Sequence, residues 1–343
     1  MRLNTAFSTP PSAPDGLDDL MTSSSSTFEK LLTSRGSRRG LWLLPLVIAI
    51  AMALWLAATT SQFGQSSNLA NLVAQGMPLL ITAVGQMFVV LVGGLDLSIG
   101  SVVSFTTAIL ALDLPGFVTI PAVFVLAGLI GATNGYCVTR LSVHPIVATL
   151  SMQYIVLGIT RVLRPVSGGA VPDSVRWMVE GSLFGIPLPV FWGIVTMLVA
   201  WKLLYGSRYG LHLFAIGGGV ASGSADAARN FGIPANRNIL LAYVICTLFA
   251  ALAGVFLAGR IVSGDPNVGL LMELDAITAV AIGGTQLSGG VGSLHGTVIG
   301  VAALALLSNG MNLLNVTPFV QTAIKGILLM AVVALQSRKK IGL

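Results

Sequence analysis

The sequence predicts an all-α, polytopic membrane protein with about ten transmembrane helices, some of them broken or short. Three observations carry that expectation. Hydrophobic residues make up 55% of the 343 positions and charged residues 9%, with a mean hydropathy of +0.89, whereas a soluble domain gives roughly a quarter of its residues to charge. Runs such as Leu41 to Thr59, Val118 to Val138 and Gly296 to Leu307 contain no acidic or basic side chain, and about 20 such residues match the hydrocarbon thickness a helix must cross. The chain holds 40 glycines, and small residues let membrane helices approach where no hydrophobic effect drives them together. Gly131/Gly135 and Gly292/Gly296/Gly300 are spaced for that use. The short alternating segments of an outer-membrane barrel are not seen.

Taken in order, residues 1–36 form a polar tail rich in Pro and Ser that cannot bury a core, expected to be a disordered cytoplasmic extension. The transmembrane remainder, 37–343, divides into spans at about 41–60, 70–93, 97–113, 117–139, 146–163, 187–205, 239–259, 274–288, 294–308 and 319–336. The third and eighth are short and glycine-interrupted. With the amino terminus inside, thirteen of the 18 Lys and Arg residues fall on the cytoplasmic side. Arg161, Arg164, Arg176 and Arg260 fall outside, and Lys325 lies within the last span, where it can snorkel or pair with an acid. Both termini are therefore expected in the cytoplasm. Segment 206–238 reads as the longest cytoplasmic loop, with Ser224 to Asn230 as a short exposed helix capped by Ser224 and ended at Gly232-Ile233-Pro234.

The polar residues within spans are few. Asp96 and Ser98 follow the Gly93-Gly94 interruption and can cap the next helix, although an ionisable group at membrane depth also raises a role in ion or solute binding. Glu273 and Asp275 open a span, where acids complement the helix dipole. Asn134, Gln153, Asn309 and Asn312 either bridge helices or line a path for a hydroxylated solute. G-G-x-x-L-S-x-G occurs twice, at Gly93 to Gly100 and Gly283 to Gly290, either as a repeat or as shared glycine-break chemistry. His144, His212 and His295 are dispersed, and Cys137 and Cys246 sit in apolar runs, so metal ligation and disulfides are not expected. No lysine follows a glycine, which excludes the G-x-x-x-x-G-K-[ST] phosphate loop. The chain is not expected to hydrolyse ATP, to carry a cofactor or to bind nucleic acid.

From about Gly40 to Leu335 the chain resembles permease subunits of bacterial ABC importers of the ribose/xylose/arabinose type, which include autoinducer-2 permeases. Gly93 to Ser101 is similar to the family's G-G-[IL]-D-L-S-V-G-S signature, and Glu273 to Thr285 to its E-L-D-A-I…G-G-T element. Asn134-Gly135 with Val138, Pro145 to Leu150, Ser167-Gly168-Gly169 with Pro172, and Asn309-Gly310 with Asn312 follow in the family's order. The resemblance implies a bacterial inner-membrane permease working by alternating access. It implies a second permease subunit (homodimer or heterodimer), a cytoplasmic ABC ATPase and a periplasmic solute-binding protein. It places ATPase coupling at Ser224, Ala225, Ala227, Ala228, Gly232 and Ile233, and leaves Asp96, Ser98, Asn134, Gln153, Glu273, Asp275, Asn309 and Asn312 as translocation-path candidates. The chain departs from the pattern after Ala215-Ile216-Gly217-Gly218, where Gly219 replaces Asn, about five residues are added, and Phe231 replaces Ser. Arg-Gly in the fifth span becomes Leu157-Gly158, with Arg161 and Arg164 beyond, a change expected to bear on substrate choice. The rival reading is a proton- or sodium-coupled secondary transporter of a small polar solute, with Asp96, Glu273 or Asp275 as the coupling acid.

Overall fold

In a computed structural model of the chain, residues 43–221 and 227–336 are described. The tail 1–36 lies outside them, as do Ser224 and Ala225. Each of the ten expected spans contains a helix. They are α1 (Leu43–Thr59), α2 (Ser66–Leu91), α3 (Ile99–Leu110), α4 (Gly116–Thr139) and α5 (Pro145–Leu163), then, after a short amphipathic α6 (Asp173–Glu180), α7 (Leu188–Tyr205). Between α7 and the next span lie α8 (Arg208–Ala221) and α9 (Ala227–Asn230). The last four spans are α10 (Ala235–Ile261), α11 (Met272–Ile282), α12 (Leu294–Leu313) and α13 (Pro318–Gln336). A two-residue hairpin, β1 (Ser182–Leu183) with β2 (Ile186–Pro187), precedes α7.

Among the described residues, seven helices are long and apolar enough to cross a bilayer. α3 and α11, with 12 and 11 residues, rise only about 16–18 Å at 1.5 Å per residue. These are the two spans marked as short and glycine-interrupted. A half-length helix needs protein around its exposed end, because lipid offers its backbone no hydrogen-bond partner. α2 and α10 supply that surround as the central pillars, and α4, α3 and α2 all pack on α10. Their buried side chains, among them Met87, Phe88, Tyr243 and Phe256, form the main core. The outer helices show lipid large apolar side chains such as Leu129, Ile155 and Leu198. No residue of α13 is buried, and Phe319 is 88% exposed.

The glycine spacing does what its pattern suggested. On α4, a methyl group at Gly131 would lie 2.7 Å from the Tyr243 carbonyl oxygen and 2.7 Å from the Val244 Cα, both on α10. Gly296 and Gly300 of α12 face the Gly283 and Ala279 carbonyls at the end of α11 in the same way.

One expectation is corrected. Segment 206–238 is not a loop, because 14 of its residues form α8. Leu213 and Ile216 lie on one helical face and are buried, so the segment carries the apolar stripe of a packed helix. The short helix expected over 224–230 is described as 227–230.

Replacing Gly131 with Val should weaken the α4–α10 contact by about 1–3 kcal/mol, the usual cost of overpacking. Gly158→Val, where nothing lies within 4 Å, should be neutral. Thermal melting of the two detergent-purified variants compares them directly, and equal melting would refute the close-contact role.

Candidate functional site

The functional geometry is built around two helix breaks. α2 ends in a two-bond C-cap in which the Gly94 N–H donates to the Val89 carbonyl at 3.0 Å and the Gly93 N–H to the Val90 carbonyl at 2.9 Å. Gly93 has φ 77°, a left-handed conformation that glycine adopts without steric cost. The extended stretch that follows is largely buried in the protein, with Gly94, Asp96 and Ser98 shielded, so its polar groups need partners there. With its amide turned so that nitrogen and oxygen each meet a complementary group, Gln86 of α2 spans the Asp96 backbone, donating to its carbonyl at 3.2 Å and accepting from its N–H at 3.1 Å. The Thr149 hydroxyl of α5 donates to the Leu95 carbonyl at 3.2 Å.

Asp96 then turns the chain into α3. Its Oδ1 accepts from the Ser98 N–H at 2.9 Å and the Ser98 hydroxyl at 2.6 Å. Asn134 of α4 closes the cluster, donating to Ser98 Oγ at 2.9 Å and to Asp96 Oδ1 at 3.4 Å. All three side chains are buried. Asp96 therefore closes a turn onto Ser98 just ahead of α3, and neither side chain makes a cap bond to an N–H of α3 itself. Gly94 has no side chain because the Tyr243 hydroxyl of α10 occupies that space, 2.5 Å from where a Cβ would stand.

The second break repeats the cap with a one-residue offset. The Thr285 N–H donates to the Val280 carbonyl at 3.2 Å and the Gly284 N–H to the Ala281 carbonyl at 3.1 Å, with φ 84° at Gly284. The left-handed residue is thus the first glycine in one copy of G-G-x-x-L-S-x-G and the second glycine in the other. The echo is shared C-cap chemistry and not residue-by-residue correspondence. Gln336 of α13 clamps this break, its amide nitrogen donating to the Ala281 and Thr285 carbonyls at 2.8 and 3.2 Å and its oxygen accepting from the Leu287 N–H at 3.3 Å.

The two breaks meet at a three-way backbone junction. The Gly290 N–H donates to the Leu91 carbonyl, the last of α2, at 2.9 Å. Gly217 of α8 is pressed against both the Leu91 carbonyl oxygen and the Gly290 nitrogen, and Gly289 packs on Gly93. The helix before the short α9 therefore touches both breaks through bare backbone. α9 carries the same C-cap, with the Ile233 N–H donating to the Ala228 carbonyl at 3.1 Å and the Gly232 N–H to the Arg229 carbonyl at 2.9 Å. Ala228 is 3% exposed and Ile233 packs against the core, while Phe231 between them is 85% exposed. Ala228 thus points into the chain instead of outward as the short-helix reading assumed.

The remaining path candidates form separate pairs. Gln153 of α5 donates to Glu273 Oε1 at 3.0 Å, and Glu273 Oε2 sits beside Gly100. Lys325 meets Asp275 at 2.7 Å, which realises the acid pairing its position allowed. Asn309 and Asn68 exchange amide hydrogen bonds at 2.9 and 3.2 Å, and Asn312 accepts from Gln321 at 2.8 Å. At the same end of the bundle, Ser104 and Thr107 of α3 hold the loop before α11 through Gly269 and Asp265. Arg161 donates to Asn267 Oδ1 at 3.0 Å and Arg164 to the Ala111 carbonyl at 2.6 Å, and Gly168 pairs with Gly264. Both arginines are tethers in this fold. The sequence reading missed Gln86, Thr149, Tyr243 and Gln336. For the two glutamines the signal was there, each being an amide set beside an apolar run of its span.

Comparison with known proteins gives a consistent picture. The family model described as "Branched-chain amino acid transport system / permease component" matches residues 68–333. The chain is 35% identical over 304 residues to the ribose import permease protein RbsC of Escherichia coli (strain K12), covering 86% of this chain and 93% of the relative. It is 31% identical over 296 residues to the D-allose transport system permease protein AlsC of the same strain, covering 84% and 89%. It is also 31% identical over 303 residues to the probable ABC transporter permease protein y4mJ of Sinorhizobium fredii (strain NBRC 101917 / NGR234), covering 86% and 90%. No solved structure matches the chain significantly.

The junction is testable with a neighbouring pair of glycines. Gly217→Ala drives a methyl group into the Leu91 carbonyl and Gly290, whereas Gly218→Ala meets nothing within 4 Å. Gly217→Ala should lose most solute uptake and about 1–3 kcal/mol of stability, and Gly218→Ala should behave as wild type. Equal uptake by both would remove the junction from the mechanism.

Proposed function

Because the chain belongs to the branched-chain amino acid transport system / permease component family, we propose that it is the membrane-spanning permease of an ATP-binding-cassette importer for a monosaccharide. The observation that carries this reading is near full-length similarity to import permeases named for ribose and allose, with both helix breaks inside the matched region. The permease is not itself an enzyme. ATP hydrolysis belongs to a separate cytoplasmic subunit, solute delivery to a periplasmic binding protein, and the membrane core includes a second permease subunit. The protein is a multi-pass protein of the bacterial inner membrane, with both termini in the cytoplasm.

The geometry supports a route for coupling. The ATPase docks on the segment around α9, through Ala227 at its start, Gly232, Ile233 and exposed Phe231 after it, and Ser224 and Ala225 before it in sequence. Movement of that segment reaches α8, and Gly217 passes it to both breaks through backbone contacts that have no side chain to absorb the displacement. Asp96, Ser98 and Asn134 keep the first break in shape as α3 moves. Gln153, Glu273, Asp275, Asn309 and Asn312 offer exchangeable hydrogen bonds nearer the other end, suited to a hydroxylated solute passing in stages. A proton- or sodium-coupled carrier is the weaker reading, since Asp96 is held by Ser98 and Asn134 and Asp275 by Lys325.

Reconstituted with its ATPase and binding protein, the transporter should hydrolyse ATP faster when the binding protein carries its sugar, while the permease alone should show only background hydrolysis. Hydrolysis by the isolated permease, or uptake driven by an ion gradient without ATP, would overturn the importer reading. Reporter fusions after Leu112 and Val262 should read as periplasmic and those after Arg140 and Gly210 as cytoplasmic. The reverse pattern would invert the orientation.

A further inference from the structure

One polar cavity lies apart from the helix breaks. It has a volume of about 280 Å³, is partly open, and is lined by the N-terminal half of α2, the ends of α10 and α12, and the starts of α11 and α13. Chain alternation puts these segments at one end of the bundle, opposite α8 and α9. Gln75, Arg260, Asp275, Ser308 and Lys325 line it. Three charged side chains around one cavity in a chain this apolar are costly to keep, and intramembrane charge marks function by default.

The chemistry of the lining narrows the ligand. Asp275 and Lys325 are 2.7 Å apart with side chains 24% and 25% exposed, so water or a solute reaches the pair. The same pair also lines a second cavity of about 220 Å³ on its other side. Asp275 Oδ2 binds Lys325, which leaves Oδ1 as an acceptor. Arg260 uses one N–H on the Ala74 carbonyl at 3.2 Å, while a guanidinium carries five donors. Gln75 and Ser308 add groups that both donate and accept. A wall that mixes a carboxylate, two cations, an amide and a hydroxyl suits a neutral molecule whose adjacent hydroxyls each donate and accept. The carboxylate disfavours a strongly anionic ligand. The volume falls at the lower edge of small-molecule sites, which run from about 300 Å³, and so suits a single sugar ring.

We propose that this cavity is a subsite for a neutral monosaccharide, with Asp275, Lys325 and Arg260 as its hydrogen-bonding wall. The assignment rests on the sugar-importer reading and adds to it a place within one permease subunit where the solute pauses.

Thiol protection tests it in the assembled transporter in proteoliposomes. Ser308→Cys, in a Cys137→Ser background, is titrated with a membrane-impermeant methanethiosulfonate, and uptake of labelled D-ribose and D-allose is measured on the same preparation. A sugar at about four times its dissociation constant should slow modification about fivefold, by the factor 1 + [L]/Kd. The double variant Asp275→Asn/Lys325→Gln should abolish that protection while the cysteine still reacts. A cysteine that never reacts, or reacts at the same rate with and without every transported sugar, overturns the subsite and leaves the importer reading standing if uptake persists. Protection by inorganic phosphate but not by sugar overturns it in favour of an anion site. Failure of the wild-type transporter to take up any monosaccharide sinks the sugar reading itself, whatever the cysteine reports.

Discussion

Everything in this fold follows from one constraint: a backbone that leaves the helix inside the protein must find hydrogen-bond partners there. Two such segments among the described residues, after α2 and after α11, set the arrangement of the helices around them. The first is satisfied by Gln86, Thr149 and its own Asp96, the second by Gln336 and a bond to the end of α2. These partners come from α2, α5 and α13, so each break ties helices distant in sequence to one point. Removing a partner leaves a buried carbonyl or N–H unpaired, which costs about 1–3 kcal/mol.

The same constraint explains why glycine gathers at the junction. Bare backbone lets Leu91, Gly217 and Gly290 approach closely enough for the first break, the second break and α8 to share one contact. A close-packed contact of this kind transmits displacement instead of absorbing it. The region expected to meet the ATPase therefore adjoins, through α8, the non-helical backbone of both breaks. The Asp275–Lys325 cavity lies at the other end, and α2 runs between the two: its N-terminal half lines the cavity and its last residue, Leu91, joins the junction.

Much of this architecture was legible from residue order. The apolar runs located all ten spans, and the short length of 97–113 and 274–288 marked α3 and α11 as half-helices. The close-approach glycines on α4 and α12 were visible from their spacing. The loop reading of 206–238 failed because polar residues and glycines masked the helical period of Leu213 and Ile216. Ala228 seemed exposed for a related reason: a small side chain says nothing about which way a short helix turns.

The sequence by itself determined class, span order and the places where helices must stop, because those depend on local composition and on glycine at left-handed positions. Only the tertiary structure decided which polar groups meet. Asn134 lies 38 residues from Asp96 in the chain, Gln336 lies 55 from Ala281 and Lys325 lies 50 from Asp275. No local pattern encodes such pairings. They arise when half-helices with exposed ends are buried and each polar group must take the partner that packing brings within reach.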